Sequence, residues 1–165
     1  MSPPNRLAPA LSSACLSERM SQPPPPCETL TVHASTVAYD GRAVLITGAS
    51  GTGKSGLALQ LMALGAELVS DDRTILTREG ARLVASAPEA IQGQIEARFV
   101  GILKASAAAP TALALLVNLD TIETERLPPL RTEPLMGILV PSVHKSEGSH
   151  FPAAILQYLK QGRIA

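Results

Sequence analysis

Residues 48–55, Gly-Ala-Ser-Gly-Thr-Gly-Lys-Ser, carry the strongest chemical signal in the chain. Their spacing is that of the G-x-x-x-x-G-K-[ST] phosphate loop, with an apolar β-type run, Val44-Leu45-Ile46, before it and a helical stripe after it. Glycines at 48, 51 and 53 let the backbone bring successive N–H groups against an anion, and a helix starting near Gly53 adds the positive end of its dipole. Lys54 can reach the β- and γ-phosphates of a nucleotide, and the Ser55 hydroxyl can ligate Mg²⁺. A plain glycine turn between strand and helix needs neither the lysine nor the serine. The motif therefore predicts nucleotide binding across Gly48, Ala49, Ser50, Gly51, Thr52, Gly53, Lys54 and Ser55. It names a ligand, not a reaction.

Acidic residues could supply the reaction. Asp71-Asp72 follow the run Leu68-Val69-Ser70 about one helix after the loop. Strand side chains alternate between faces, so both carboxylates reach one site only if a turn intervenes. One could then take a hydroxyl proton while the other orients a metal or a water; the alternative is a turn or cap aspartate. Asp120, at the end of the apolar run 113–119, competes as the magnesium-binding acid of a strand end. Glu96 and Arg98 share one face of an extended Ile95-Glu96-Ala97-Arg98. They offer a metal-side carboxylate and a phosphate-side guanidinium, or else a cross-strand ion pair. His33 lies mid-strand, where surface or satisfied core positions are the commoner setting. His144 and Lys145 read as part of a polar loop, and His150 stands near a helix start.

The elements that must hold these groups follow from periodicity. Residues 29–38 and Arg42–Thr47 read as strands joined through Asp40-Gly41, a strong hairpin signal. Leu57, Leu61 and Leu64 form a helical stripe ended by Gly65. Residues 67–70 form a strand, and 74–77 with 82–85 form a second hairpin closed at Glu79-Gly80. A short helix is expected over 88–94, a buried strand over 111–119, a charged and proline-broken loop over 121–134 and a strand over 135–140. A helix over 151–160 closes the chain with Ile155, Leu156 and Leu159 inward. There are more hairpins than a doubly wound sheet gives, so the fold class is α/β with a mixed β-sheet, the phosphate loop and flanking helices. Residues 1–27 are rich in Pro and Ser and read as a disordered arm, which leaves 28–165 as one domain.

Composition narrows the partners. Fourteen basic residues balance 14 acidic ones, so no nucleic-acid footprint or attraction to an anionic membrane is expected. No apolar run reaches transmembrane length. With 2 Phe, 2 Tyr and no Trp, the core must be aliphatic and base stacking is not expected. Both cysteines, Cys15 and Cys27, fall in the arm, which fits a reducing cytoplasm.

Taken in order, several stretches resemble the catalytic domain of the bifunctional HPr kinase/phosphorylase family, closest to its short single-domain forms, from about residue 29 onward. They are Val32-His33, the loop, Leu68-Val69-Ser70-Asp71-Asp72 and Ala87-Pro88-Glu89. Ile95-Glu96-Ala97-Arg98 with Gly101-Ile102, Val117-Asn118-Leu119-Asp120 and Glu125-Arg126-Leu127-Pro128 follow. The resemblance implies a cytoplasmic kinase that uses ATP and Mg²⁺ to phosphorylate a serine of the phosphocarrier HPr, or its paralogue, within a phosphotransferase system. It implies a fold like that of phosphoenolpyruvate carboxykinase and a homo-oligomer, a hexamer. It also implies Lys54 and Ser55 on phosphates and metal, Asp71 and Asp72 as base and support, and Glu96 as a second metal-side carboxylate. Arg98 would contact phosphate and His33 would belong to the active site. Phe99 stands where the family has glycine, and residues 141–148 read Pro-Ser-Val-His-Lys-Ser-Glu-Gly where longer members carry Arg-Pro-Gly-Arg, linked to the reverse reaction. The kinase direction is thus favoured over the phosphorylase. Two other readings stand beside it: a nucleotide-sensing module with weak or lost turnover, and a generic P-loop ATPase using Asp120.

Overall fold

Short apolar runs, Ala43–Ile46, Leu68-Val69, Ile75-Leu76 and Leu83–Ala85, bounded by turn residues recur between residues 42 and 86, the length and spacing of strands. The structure, a computed structural model, describes residues 28–165; the arm expected over 1–27, with both cysteines, lies outside the described residues. The run expected over 29–38 is two strands, β1 (Thr29–Val32) and β2 (Ser35–Tyr39), broken at His33-Ala34. Asp40 and Gly41 have φ of 49° and 72°, the left-handed pair that a two-residue hairpin needs, and turn β2 into β3 (Arg42–Thr47). The glycine-rich loop leads into α1 (Lys54–Ala63), after which β4 (Glu67–Ser70) runs antiparallel to β2. The second hairpin pairs β5 (Thr74–Glu79) with β6 (Arg82–Ser86), its turn one residue later than expected, at Gly80-Ala81.

Downstream the expectations need correction. A single 3-10 turn, Glu89–Ile91, replaces the helix expected over 88–94, because Gln94 is drawn into β7 (Gln94–Ala97). β7 pairs with β8 (Gly101–Lys104) as a separate ribbon. β9 (Thr111–Ile122) runs past Leu119, so the loop expected over 121–134 is shorter. Its far end is taken by β10 (Arg131–Leu135), an edge strand whose Pro134 needs no ladder hydrogen bond on its open side. The strand expected over 135–140 is interrupted: Leu135 ends β10, Met136 and Gly137, with φ of 48° and 76°, form a turn, and residues 138–140 open β11 (Ile138–Lys145). His144 and Lys145 therefore end a strand paired to β9, not a polar loop. The closing helix, α2 (Phe151–Gln161), buries Ile155, Leu156 and Leu159 as expected.

The main sheet has the order β1-β5-β6-β9-β3-β2-β4, with β11 and β10 beside the C-terminal half of β9. It is mixed: β3 and β11 run parallel to β9, and the remaining pairs are antiparallel. β1 and β2 stand near opposite ends of this order, yet only His33-Ala34 separates them in sequence. Asp71-Asp72-Arg73 likewise spans from β4 to β5. Such short links force the sheet to curl until its ends meet. At that seam Thr36 Oγ1 and Thr74 Oγ1 lie 2.7 Å apart, and Thr74 Oγ1 also reaches Ala34 O at 3.1 Å.

Curling gives each inner strand two buried faces, which is why β3 is apolar throughout its middle. Val44, Ile46 and Val117 pack outward on Leu57 and Leu61 of α1 and on Leu156 and Leu159 of α2. Leu45, Val69, Leu76, Leu83 and Leu116 fill the inside of the curl. Leu64, expected on the inward stripe, is 46% exposed because α1 ends at Ala63 and Gly65 reverses the chain at φ 104°. No helix among the described residues is long and apolar enough to cross a membrane. Leu61→Ala, which empties a fully buried position, should lower urea unfolding stability by about 2–5 kcal/mol, whereas Leu64→Ala should stay within about 0.5 kcal/mol. The opposite ranking would mean that α1 presents a different face to the sheet.

Candidate active site

β4 ends at Ser70, and Asp72 takes a left-handed φ of 67°. That turn removes the alternation of a continuing strand, and both Asp71 and Asp72 line one cleft of about 270 Å³. Asp71 is only 6% exposed, so its carboxylate needs donors to stay buried. Ser35 Oγ and Ser55 Oγ donate to Oδ1 at 2.6 and 2.8 Å, and the Glu96 amide donates to Oδ2 at 3.0 Å. Those donors come from β2, α1 and β7, so one carboxylate ties three elements to the end of β4. The Asp72 side chain is 63% exposed, with Oδ1 3.1 Å from His33 Nδ1 at the break between β1 and β2.

The glycine-rich loop is held from within. A Cβ at Gly48 would stand 2.7 Å from Thr52 Oγ1, which itself donates to Ala49 O at 2.9 Å, so the position requires glycine. Asp120 Oδ1 accepts the Ala49 amide at 2.8 Å, and Asn118 Oδ1 accepts the Asp120 amide at 2.9 Å. Lys54 is 7% exposed, and its Nζ donates to Gly48 O at 2.9 Å and Ala49 O at 3.0 Å. An ammonium has three donors, so one is left for the cleft that Lys54 lines. α1 begins after Gly53 with no side-chain cap. Its first-turn residues line the cleft, and the amides of such a turn suit an anion.

β7 forms the opposite wall. Ile95 and Ala97 are buried and Glu96 faces outward, so strand alternation places the Glu96 side chain in the cleft. Its cross-strand neighbour is Ile102, which excludes the alternative of a cross-strand ion pair. Arg98 lies just beyond the strand, and its Nη2 comes within 3.9 Å of where a Cβ on Gly51 would stand. Next to it Phe99 is fully exposed with a φ of 66°, a conformation that glycine favours.

Most of the expected site residues thus share one cleft: His33, Asp71, Asp72, Glu96 and Arg98 face Ser50, Gly51, Gly53, Lys54 and Ser55. Gly48 and Ala49 lie behind Lys54, and Thr52 lines a neighbouring cavity beside the start of α2. Ser35 was not foreseen. Its signal is a pair of hydroxyl residues, Ser35 and Thr36, in a wholly buried stretch of strand, a place where polar groups need partners. Asp120 does not line the cleft and serves the loop instead. Ser55, Asp71 and Glu96 offer only hard oxygen donors, which suit Mg²⁺ better than a soft metal. No group of three acidic, histidine or cysteine side chains forms a ready cage among the described residues. That fits an ion drawing its remaining ligands from water and phosphate.

Comparison with known proteins agrees with this geometry. The family model for the HPr serine kinase C-terminal domain matches residues 27–126. The HPr kinase/phosphorylase of Limosilactobacillus reuteri (strain DSM 20016) is 34% identical over 126 residues, covering 68% of this chain and 39% of its own. That of Halalkalibacterium halodurans is 40% identical over 107 residues, covering 60% of this chain and 34% of its own. The chain thus spans about two fifths or less of the length of these curated relatives. The solved structure of the Hpr(Ser) kinase/phosphatase from Coxiella burnetii superposes with a TM-score of 0.67 at 28% identity, covering 79% of this chain and 94% of that one.

The role given to Asp120 is open to measurement. Asp120→Ala removes a charge-assisted acceptor worth roughly 1.5 kcal/mol, so amide hydrogen exchange at the start of the loop should quicken about tenfold. The global unfolding midpoint should move little. Unchanged exchange would mean that Lys54 alone holds the loop.

Proposed function

We propose that this chain, which belongs to the HPr serine kinase C-terminal domain family, transfers the γ-phosphoryl group of ATP to a serine hydroxyl of an HPr-like phosphocarrier protein. The observation that carries this reading is the Asp71 carboxylate held 2.8 Å from Ser55 Oγ of the phosphate loop, in one cleft with Asp72, His33, Glu96 and Arg98.

In this reading the first-turn amides of α1 and the open donor of Lys54 bind the β- and γ-phosphates, and Arg98 balances charge from the other wall. Ser55 and Glu96 would hold Mg²⁺, which when bound would neutralise charge on the transferred group. Asp71 accepts from Ser55 of the loop, with Ser35 Oγ and the Glu96 amide fixing its orientation. Its carboxylate takes the proton of the carrier's serine as that oxygen bonds to the γ-phosphorus. The bond from the γ-phosphorus to the bridging oxygen breaks and ADP leaves. Asp72 and His33, at the open mouth, orient the incoming segment. In the phosphorylase reaction an oxygen of inorganic phosphate would bond to the phosphoserine phosphorus, the bond from that phosphorus to the serine oxygen would break, pyrophosphate would leave and Asp71 would return the proton to the serine oxygen. Residues 141–148 lack the Arg-Pro-Gly-Arg of longer members, so the kinase direction is the one we assign. The curled mixed sheet with its phosphate loop is read as phosphoenolpyruvate-carboxykinase-like. The protein is placed in the cytoplasm as a homo-oligomer, hexameric by family resemblance, without nucleic-acid or membrane partners.

One observation favours a second reading, a nucleotide-sensing module. Phe99 occupies a left-handed position beside Arg98, where glycine would sit without strain. The ATPase reading through Asp120 is not favoured, because that carboxylate is engaged by the Ala49 amide.

The test is transfer of label from ATP, with Mg²⁺, to an HPr-like carrier and to the carrier whose target serine is replaced by alanine. Label is expected on the first alone. Asp71→Asn should lower transfer at least about a hundredfold while nucleotide binding persists, Lys54→Ala should weaken nucleotide binding, and Asp120→Asn should leave most of the transfer. Full transfer by Asp71→Asn would overturn the assignment of the base. Nucleotide binding without label in the wild type would move the reading to the sensing module.

A further inference from the structure

The β7–β8 ribbon carries apolar side chains that the fold does not bury. Its inner face is anchored, since Ile95 belongs to the core that α1 covers and Ala97 is buried as well. Strand pairing sets Glu96 opposite Ile102, so these two share the other face, the one whose Glu96 lines the cleft. Ile102 is 72% exposed there. Arg98, Phe99 and Val100 form the turn that closes the ribbon, and the Val100 amide donates to Ala97 O at 2.9 Å. Arg98 lines the cleft, whereas Phe99 and Val100 stand in solvent.

Nothing within the chain rewards this arrangement. The Phe99 ring is held fully in water on a left-handed backbone, so the residue gains no burial and carries strain. All four residues of β8 are exposed, and among the described residues its outer edge pairs with no strand. Folded proteins usually charge or cover such an edge, and here Lys104 is its one charged residue.

The neighbouring cleft identifies what covers the ribbon. Asp71 lies at the bottom of that cleft, and a serine hydroxyl stands only two covalent bonds from its own Cα. A folded protein that offers a serine to Asp71 must therefore bring its backbone into the mouth, where the residues around that serine meet the rim. One side of the rim is charged, with His33 and Asp72 and with Arg73 beside them. The other side is the ribbon, with Ile102 next to Glu96 and with Phe99 and Val100 following Arg98. These apolar side chains offer roughly 300 Å² of contact, against about 800 Å² per partner in a stable interface. An area of that size suits the passing encounter of enzyme and substrate better than a permanent contact between copies of the chain.

We propose that Phe99, Val100 and Ile102 dock apolar side chains that flank the target serine of the carrier protein, and so set the affinity for the carrier without touching the reacting atoms. The inference rests on the kinase reading and deepens it: the substrate is a folded protein whose serine stands in an apolar patch. It gives Phe99 a part in carrier binding, where the sensing reading makes the same residue an impairment.

The experiment follows transfer of label from ATP to an HPr-like carrier over a range of carrier concentrations, for the wild type, Ile102→Thr and Phe99→Gly. Leu139→Thr is the control, an exposed apolar position on β11, which lines no part of the cleft. Ile102→Thr keeps a β-branched residue in the strand and Phe99→Gly suits a left-handed φ, so the unfolding midpoint should not fall. Each should raise the KM for the carrier about tenfold, the loss of one apolar contact, with kcat and the KM for ATP unchanged. Leu139→Thr should alter none of these. If the wild type transfers label and both ribbon variants keep its KM for the carrier, the docking surface is overturned and the kinase reading stands. Faster transfer by Phe99→Gly would overturn it too, and would make the ring an impairment. A smaller assembly of either variant in sedimentation at the assay concentration would make the ribbon a contact between copies instead. No label on the carrier from the wild type would overturn the kinase reading and this surface with it.

Discussion

A single buried carboxylate holds together the parts on which the cleft depends. Asp71 keeps its charge out of water because three donors from β2, α1 and β7 converge on it. None of those donors is close to it in sequence, so the carboxylate is satisfied only when the strand seam, the phosphate-loop helix and the β7–β8 ribbon are all in place. Folding and assembly of the site are therefore one event. The same contacts leave Asp71 little rotational freedom.

The position of that carboxylate follows from topology. The sheet order places β4 at one end and β1 and β5 at the other, while the chain allows only two or three residues to cross between them. The crossings are His33-Ala34 and Asp71-Asp72-Arg73, and they lie side by side where the curled sheet meets itself. Regular pairing is not available there, so the backbone can turn and send consecutive side chains into one space. Asp72 at φ 67° is the visible result. The seam also grades exposure: Asp71 lies at the bottom, and Asp72 with His33 lies at the rim, open to solvent.

The glycine-rich loop is held from within. Lys54 and Asp120 grip the same residue from two sides, the one on its carbonyl and the other on its amide. Those contacts fix the base of the loop and leave the helix start open toward the cleft.

Local signals made much of the molecule legible. The loop and its flanking strand and helix, the Asp40-Gly41 hairpin, the inward face of α2 and the mixed character of the sheet each rest on residues within one or two turns of each other, where spacing reports conformation directly. What lay beyond reading was pairing at a distance. The break at His33-Ala34 exists because β1 pairs with β5, which lies far along the chain. His144 is half-buried because β11 runs beside β9. Leu64 turns outward because the helix stops one residue before it. Ser35 matters through Asp71, thirty-six residues later. Residue type and spacing alone marked the groups whose chemistry suits phosphate and proton transfer. Tertiary structure alone decided that they meet, because only closure of the curled sheet brings its two ends, and the acids they carry, to one place.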